Sequence, residues 1–97
     1  MENLNNQLVR AIKETFVAVF EIALDDSQIQ LQKTRKEFDG DITLVVFPFL
    51  RITKKSPEQS GEVIGEYLKN NVDLVVDYNV VKGFLNLVIN PSYWSDF

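Results

Sequence analysis

Gly83-Phe84-Leu85-Asn86-Leu87-Val88-Ile89, close to the C-terminus, is an apolar run with one carboxamide inside it. At the two-residue period of a strand, Leu85, Leu87 and Ile89 share one face, and Phe84, Asn86 and Val88 share the other. The all-aliphatic face is the one expected to be buried. That sets an aromatic ring and a carboxamide side by side on the more open face. An unstacked nucleobase needs a flat surface for stacking and a donor–acceptor pair for its edge. Phe84 offers the first and Asn86 the second, while Gly83 leaves room for another backbone to approach. From this run alone, the commoner arrangement is a core phenylalanine beside an asparagine that satisfies a neighbouring backbone group, because short strands with one polar residue abound.

Working outward, Leu74 to Val81 reads as the preceding strand, joined to Phe84–Ile89 by a tight turn at Lys82-Gly83. Before it, Ser56-Pro57-Glu58-Gln59 is a helix start: Ser56 caps, Pro57 suits the first helical position and Gln59 completes a capping box. The helix runs to about Asn70 and is expected to bury Val63, Ile64, Tyr67 and Leu68. Gly61 and Gly65 weaken it, which points to close packing against a neighbour. Ile42 to Val46 reads as another strand, followed by a short helix with Pro48 in its first turn. Ile29, Leu31 and Lys33 alternate with glutamines as a half-exposed strand, and Glu37-Phe38-Asp39-Gly40-Asp41 is a turn. Leu4, Leu8, Ile12, Phe16, Val19 and Ala23, widened by Val9 and Phe20, mark an amphipathic helix over residues 3–23. Asn90-Pro91-Ser92 begins a further helix that the chain leaves after a few residues. Tyr93, Trp94 and Phe97 then have little to pack against, as in a piece cut from a longer protein.

Helix, strand, strand, helix, helix, strand, strand, with hairpin-like connections, predicts an α+β domain of two layers: a four-stranded, mainly antiparallel sheet with helices on one face. The 97 residues make one domain, 1–97, and 45% hydrophobic with 25% charged residues suits an ordinary soluble core. The chain has neither cysteine nor histidine, so thiolate chemistry, disulfides, the usual general base and the usual zinc ligands are missing. That composition fits a reducing cytosol. No run of about 20 apolar residues is present to span a membrane, and the N-terminus has no signal-peptide pattern. A net charge of −4 argues against a domain that holds nucleic acid mainly through phosphates. The charge is uneven, however: Lys33, Arg35, Lys36, Arg51, Lys54 and Lys55 cluster in one window against Glu37, Asp39 and Asp41. A local basic patch is one reading of that cluster and a solvated face is the other.

Two segments resemble a known family. Phe38-Asp39-Gly40-Asp41-Ile42-Thr43-Leu44-Val45-Val46-Phe47-Pro48-Phe49-Leu50, followed by a capped helix, is similar to an acidic-Gly-Asp strand leading into a helix. Lys82-Gly83-Phe84-Leu85-Asn86-Leu87 resembles a terminal strand of the pattern Gly, aromatic, aliphatic, Asn, apolar. In this order, and with the first helix, they resemble the N-terminal additional domain of arginyl-tRNA synthetases over residues 4–95. The resemblance implies a module without activity of its own that contacts the D-loop at the outer corner of tRNA(Arg). It makes Phe84 and Asn86 the base-reading pair. Many members carry Gly-Pro-Gly before the aromatic where this chain has Val81-Lys82-Gly83, so Lys82 is either a phosphate contact or an exposed turn residue. Lys33, Arg35, Lys36, Lys54 and Lys55 are the remaining candidates for phosphate contacts.

The resemblance also implies a parent enzyme, an ATP-dependent arginine–tRNA ligase using ATP with magnesium. The family's ATP signature contains histidines and so cannot lie in this chain. The fragment then needs no cofactor. Its partners are tRNA(Arg) and the catalytic domain of the same chain, reached through Tyr93, Trp94 and Phe97. The expected state is a cytoplasmic monomer that binds neither membrane nor DNA. Two other classes stay open: a protein-interaction module anchored by the same three aromatics, and a small enzyme using Asp39, Asp41 or lysines, although acids flanking a turn glycine usually form the turn.

Overall fold

A computed structural model describes residues 4–93. Helix α1 spans Leu4–Phe20 because Leu8, Ile12 and Phe16, one helical turn apart, all reach zero exposure. It ends three residues before the apolar pattern does. Glu21 takes a left-handed conformation (φ 58°), and the Ile22 amide turns back to the Phe16 carbonyl at 3.2 Å. Val19 and Ala23, expected on the buried stripe, are exposed. A 3-10 turn (Asp26–Gln28) leads to the short strand β1 (Leu31–Lys33), and β2 covers Ile42–Val45. Phe47–Phe49 winds as a 3-10 turn into α2 (Leu50–Thr53).

Helix α3 (Pro57–Asn71) starts at the expected residues, with the Ser56 hydroxyl accepting from the Gln59 amide at 3.2 Å and Pro57 in the first turn, but the Gln59 side chain does not return a bond to Ser56 and the expected capping box is only half formed. Strands β3 (Val75–Val81) and β4 (Phe84–Ile89) follow, and Pro91–Tyr93 closes the described chain as a 3-10 turn. All pairings are antiparallel, in the order β1-β2-β4-β3, so β2 and β4 form the centre although two helices and a strand separate them in sequence. A bulge between Val75 and Asp77 turns Val76 outward. The result is the expected α+β architecture. Among the described residues no helix is long and apolar enough to cross a membrane.

The helices lie on one face. Leu44 of β2 and Leu85, Leu87 and Ile89 of β4 meet Leu8, Ile12, Phe16, Phe49, Ile64 and Leu68 in one core. Helix α3 sits unusually close to β3. A methyl at Gly61 would lie 2.9 Å from Val80 Cγ1, and one at Gly65 2.5 Å from Tyr78 Cδ2. This approach rotates the buried stripe of α3 onto Ser60, Gly61, Ile64, Gly65 and Leu68, and leaves Val63 and Tyr67 only half-buried. The Tyr78 ring crosses the glycine and puts its hydroxyl between the carboxylates of Glu62 (2.9 Å) and Glu66 (3.0 Å). Burial, and then these two acceptors, push the phenol well above its usual range, while hydrogen bonds from Asn70 and Tyr78 hold Glu66 below the usual carboxylate range. Tyr93 is half-buried against the core rather than free. Trp94 and Phe97 lie outside the described residues.

Because the Tyr78 ring is held at both ends, it has little room to retreat. Gly65→Ala is therefore expected to destabilise the protein by about 1–3 kcal/mol. Urea unfolding measures this, and an unchanged midpoint would show that the close approach is not limiting.

Candidate nucleic-acid interface

The sheet's other face carries a polar rung. Register places Gln32 opposite Thr43, Thr43 opposite Asn86, and Asn86 opposite Asn79, one residue from each strand. The next rung is Val45, Phe84 and Val81. Asn86 thus lies on the face away from the helices, as the alternation of β4 predicts, but that face is not open around it. Asn86 is 1% exposed.

Its cover is the segment between β1 and β2. The Asp41 amide donates to the Leu87 carbonyl at 2.8 Å, and the Asp41 carboxylate accepts from the Ile89 amide at 2.8 Å, which fastens the segment to β4. Gly40, at φ 138°, then comes down on the asparagine so closely that a methyl there would sit 3.1 Å from Asn86 Cβ. The acidic-Gly-Asp turn and the Asn-bearing strand, 45 residues apart in sequence, are thus two halves of one construction.

Burial obliges the carboxamide to find partners. Asn86 Oδ1 accepts from the Thr43 hydroxyl at 2.6 Å, and Asn86 Nδ2 donates to Asn79 Oδ1 at 2.9 Å. Asn79 Nδ2 donates to the Asp39 carbonyl at 2.6 Å, and the Thr34 and Thr43 hydroxyls lie 2.8 Å apart.

Beside this network opens a recess of about 250 Å³. Phe84, Phe38 and Val81 supply its apolar walls, and Gln32, Thr43 and Asn86 its polar surface. Arg35 and Lys82, both exposed, complete the lining, so the recess carries two cations and no carboxylate. The Phe84 ring is half-buried and braced edge-on by Phe47, with centroids 6.0 Å apart at 82°. Gly83 makes that brace possible, since a methyl there would lie 2.7 Å from Phe47 Cζ. Lys82 (φ 48°) and Gly83 (φ 83°) form a two-residue hairpin turn of the primed kind, which carries Lys82 at the tip.

The structure therefore gathers Phe84, Asn86, Lys82 and Arg35 around one recess and leaves the other basic candidates outside it. Lys33 alternates to the opposite side of β1 from Gln32 and lines a separate hollow with Asn5, Gly40 and Asp41. Lys36 is exposed on the covering segment, and Lys54 caps α2 in a left-handed conformation. Lys55 lies with Glu58 and Glu62 beside α3. Asp41, considered above as a catalytic acid, is engaged with the β4 backbone. Sequence reading passed over Gln32, Phe38, Thr43 and Asn79. For Gln32, Thr43 and Asn79 the available signal was polar residues at alternate positions of apolar strands, the same pattern that singled out Asn86; Phe38, in a turn, had none.

Residues 2–89 match the family model described as arginyl tRNA synthetase N terminal domain. The chain is 50% identical over 95 residues to an arginine–tRNA ligase of Parabacteroides distasonis, covering 98% of this chain and 15% of that protein. It is 47% identical over 93 residues to one of Bacteroides fragilis, covering 96% of this chain and 16% of that protein. The fold resembles part of the arginyl-tRNA synthetase of Thermus thermophilus, with a TM-score of 0.69 and 18% identity over 92% of this chain and 14% of that one. The chain spans about 15% of the length of the P. distasonis relative.

Asn86→Ala removes one partner each from Thr43, which keeps Thr34, and from Asn79, which keeps the Asp39 carbonyl, and is expected to cost about 1–3 kcal/mol of stability. Thermal unfolding checks this, and a variant as stable as the parent would show that the network does not need the amide.

Proposed function

We propose, for a chain that belongs to the arginyl tRNA synthetase N-terminal domain family, that it is the N-terminal tRNA-binding part of an ATP-dependent arginine–tRNA ligase. In this reading the recess receives an unstacked base from the D-loop at the outer corner of tRNA(Arg). The observation that carries it is the convergence, in one recess, of a braced aromatic ring, a carboxamide and two cations. Each meets a different part of a nucleotide. Phe84 stacks on the base, Lys82 with Arg35 faces the backbone phosphates, and Asn86, 1% exposed in the recess wall, meets the base edge from within the recess.

The remainder of the longer protein supplies arginine activation with ATP and magnesium, in the cytoplasm, and this part supplies affinity and alignment. The negative net charge is consistent with that division, because two rim cations add only modest, salt-sensitive attraction. Lys33, Lys36, Lys54 and Lys55 are left with a smaller part, since none lines the recess. A role for Tyr93 in anchoring the catalytic domain is weakened by its packing on this domain's own core. Trp94 and Phe97 keep that assignment as candidates.

In the full-length ligase, Phe84→Ala is expected to raise the KM for tRNA about tenfold while sparing arginine and ATP. Steady-state aminoacylation reads this, and unaltered tRNA kinetics would remove the recess as the contact. Lys82→Asn separates charge from fold. Asparagine tolerates the left-handed turn better than lysine, so stability is expected to rise by about 1 kcal/mol while tRNA affinity falls. If both rise together, Lys82 is no phosphate contact.

A further inference from the structure

We infer that Asn79 is a positioning residue that fixes which way round the Asn86 carboxamide meets a base. The inference rests on the reading of the recess as a base site, and it adds a determinant of specificity on a neighbouring strand that lies outside the recess lining.

The argument starts from an atom that can only accept. The Asp39 carbonyl, 2.6 Å from the Asn79 side chain, requires the NH2 end of that carboxamide to face it. The oxygen end of Asn79 must then face Asn86, 2.9 Å away, and can only receive a hydrogen from Asn86 Nδ2. Asn86 Oδ1 is thereby turned to Thr43, whose hydroxyl donates to it at 2.6 Å. Having given its hydrogen, Thr43 accepts from Thr34 at 2.8 Å. The bonds run in one direction, from Thr34 through Thr43, Asn86 and Asn79 to Asp39.

Thr43 could not impose this direction by itself, because a hydroxyl donates or accepts with equal ease. Asn79, locked by a backbone carbonyl, is the member that imposes it. Asn86 is 1% exposed but lines the recess, so the second hydrogen on Nδ2 and the second lone pair on Oδ1 that its amide still has are met by a base edge only from the recess side. Their order is fixed, with the donor toward β3 and the acceptor toward β2. A base edge offering the complementary order is accepted and the reverse order is refused, as with the bidentate amide contacts that distinguish bases elsewhere.

The test uses the full-length ligase and a set of tRNA transcripts in which each D-loop nucleotide is replaced in turn. The wild type is expected to lose kcat/KM, through KM, when one position is changed. Asn79→Leu removes the polarity lock and is expected to shrink that penalty at least fivefold. Asn79→Asp still offers Asn86 only an acceptor, so it keeps the penalty even though its carboxylate opposes the Asp39 carbonyl and lowers stability. Leu8→Ala, destabilised in the core on the helix side of the sheet, keeps it as well. A penalty retained in Asn79→Leu overturns the inference, as does a loss in all three variants that follows their thermal stability. Should the leucine variant not fold, Asn79→Ser carries the same expectation, since its hydroxyl has no fixed polarity. If Phe84→Ala and Asn86→Ala leave the penalty intact, the base-reading recess itself falls and takes this inference with it.

Discussion

The hydrogen bond between Thr43 and Asn86, residues 43 positions apart, lies in the pairing of the two central strands. A carboxamide in the middle of a sheet is costly unless every polar atom is matched. Matching this one shapes everything around it. Thr43 must sit opposite on β2 and Asn79 opposite on β3. The Asp39 carbonyl must reach over from a loop, and Gly40 must have no side chain, so that the loop can descend. Among the described residues no buried side-chain nitrogen or oxygen is left without a partner. Thr43 and Asn86 belong both to this network and to the lining of the recess, so the contacts that resolve the burial problem also shape the recess wall.

The two faces of the sheet divide the electrostatic work. Behind the sheet, α3 presents Glu58, Glu62 and Glu66 to solvent, and the Tyr78 hydroxyl is held between the latter two. In front, Arg35 and Lys82 flank an apolar hollow. A domain that is acidic as a whole thus carries a local cationic rim at the recess, beside the exposed Glu37, Asp39 and Asp41 of the covering segment.

Much of this was legible in the chain. The alternation along β4 placed Leu85, Leu87 and Ile89 toward the helices, and Ser56-Pro57 opened α3 where it opens. Gly61 and Gly65 announced a close approach, although not that β3 was the neighbour. Other features depend on contacts that no local pattern encodes. The burial of Asn86 comes from a loop that reaches it across the fold, and the rung through Gln32, Thr43 and Asn79 exists only once register is set between distant strands. The early end of α1 turns on Glu21 adopting a backbone conformation that side chains usually avoid, with no glycine to signal it. Phe38 read as a turn residue because its partner, the Phe84 side of the recess, arrives 46 residues later.

The strand order has a consequence for how the molecule comes into being. Strand β2 waits at the centre of the sheet for β4, which follows only after α2, α3 and β3. Closing so long an intervening stretch is entropically slow compared with forming a local hairpin. On the ribosome, where chains emerge at roughly 5–20 residues per second, the first half has only β1 as a partner for β2. The Leu44 side chain and the Thr43 hydroxyl stay exposed to water for several seconds. A nascent chain interrupted before Phe84 has no braced ring, no Asn86 carboxamide and no central seam, so the recess is acquired late and all at once.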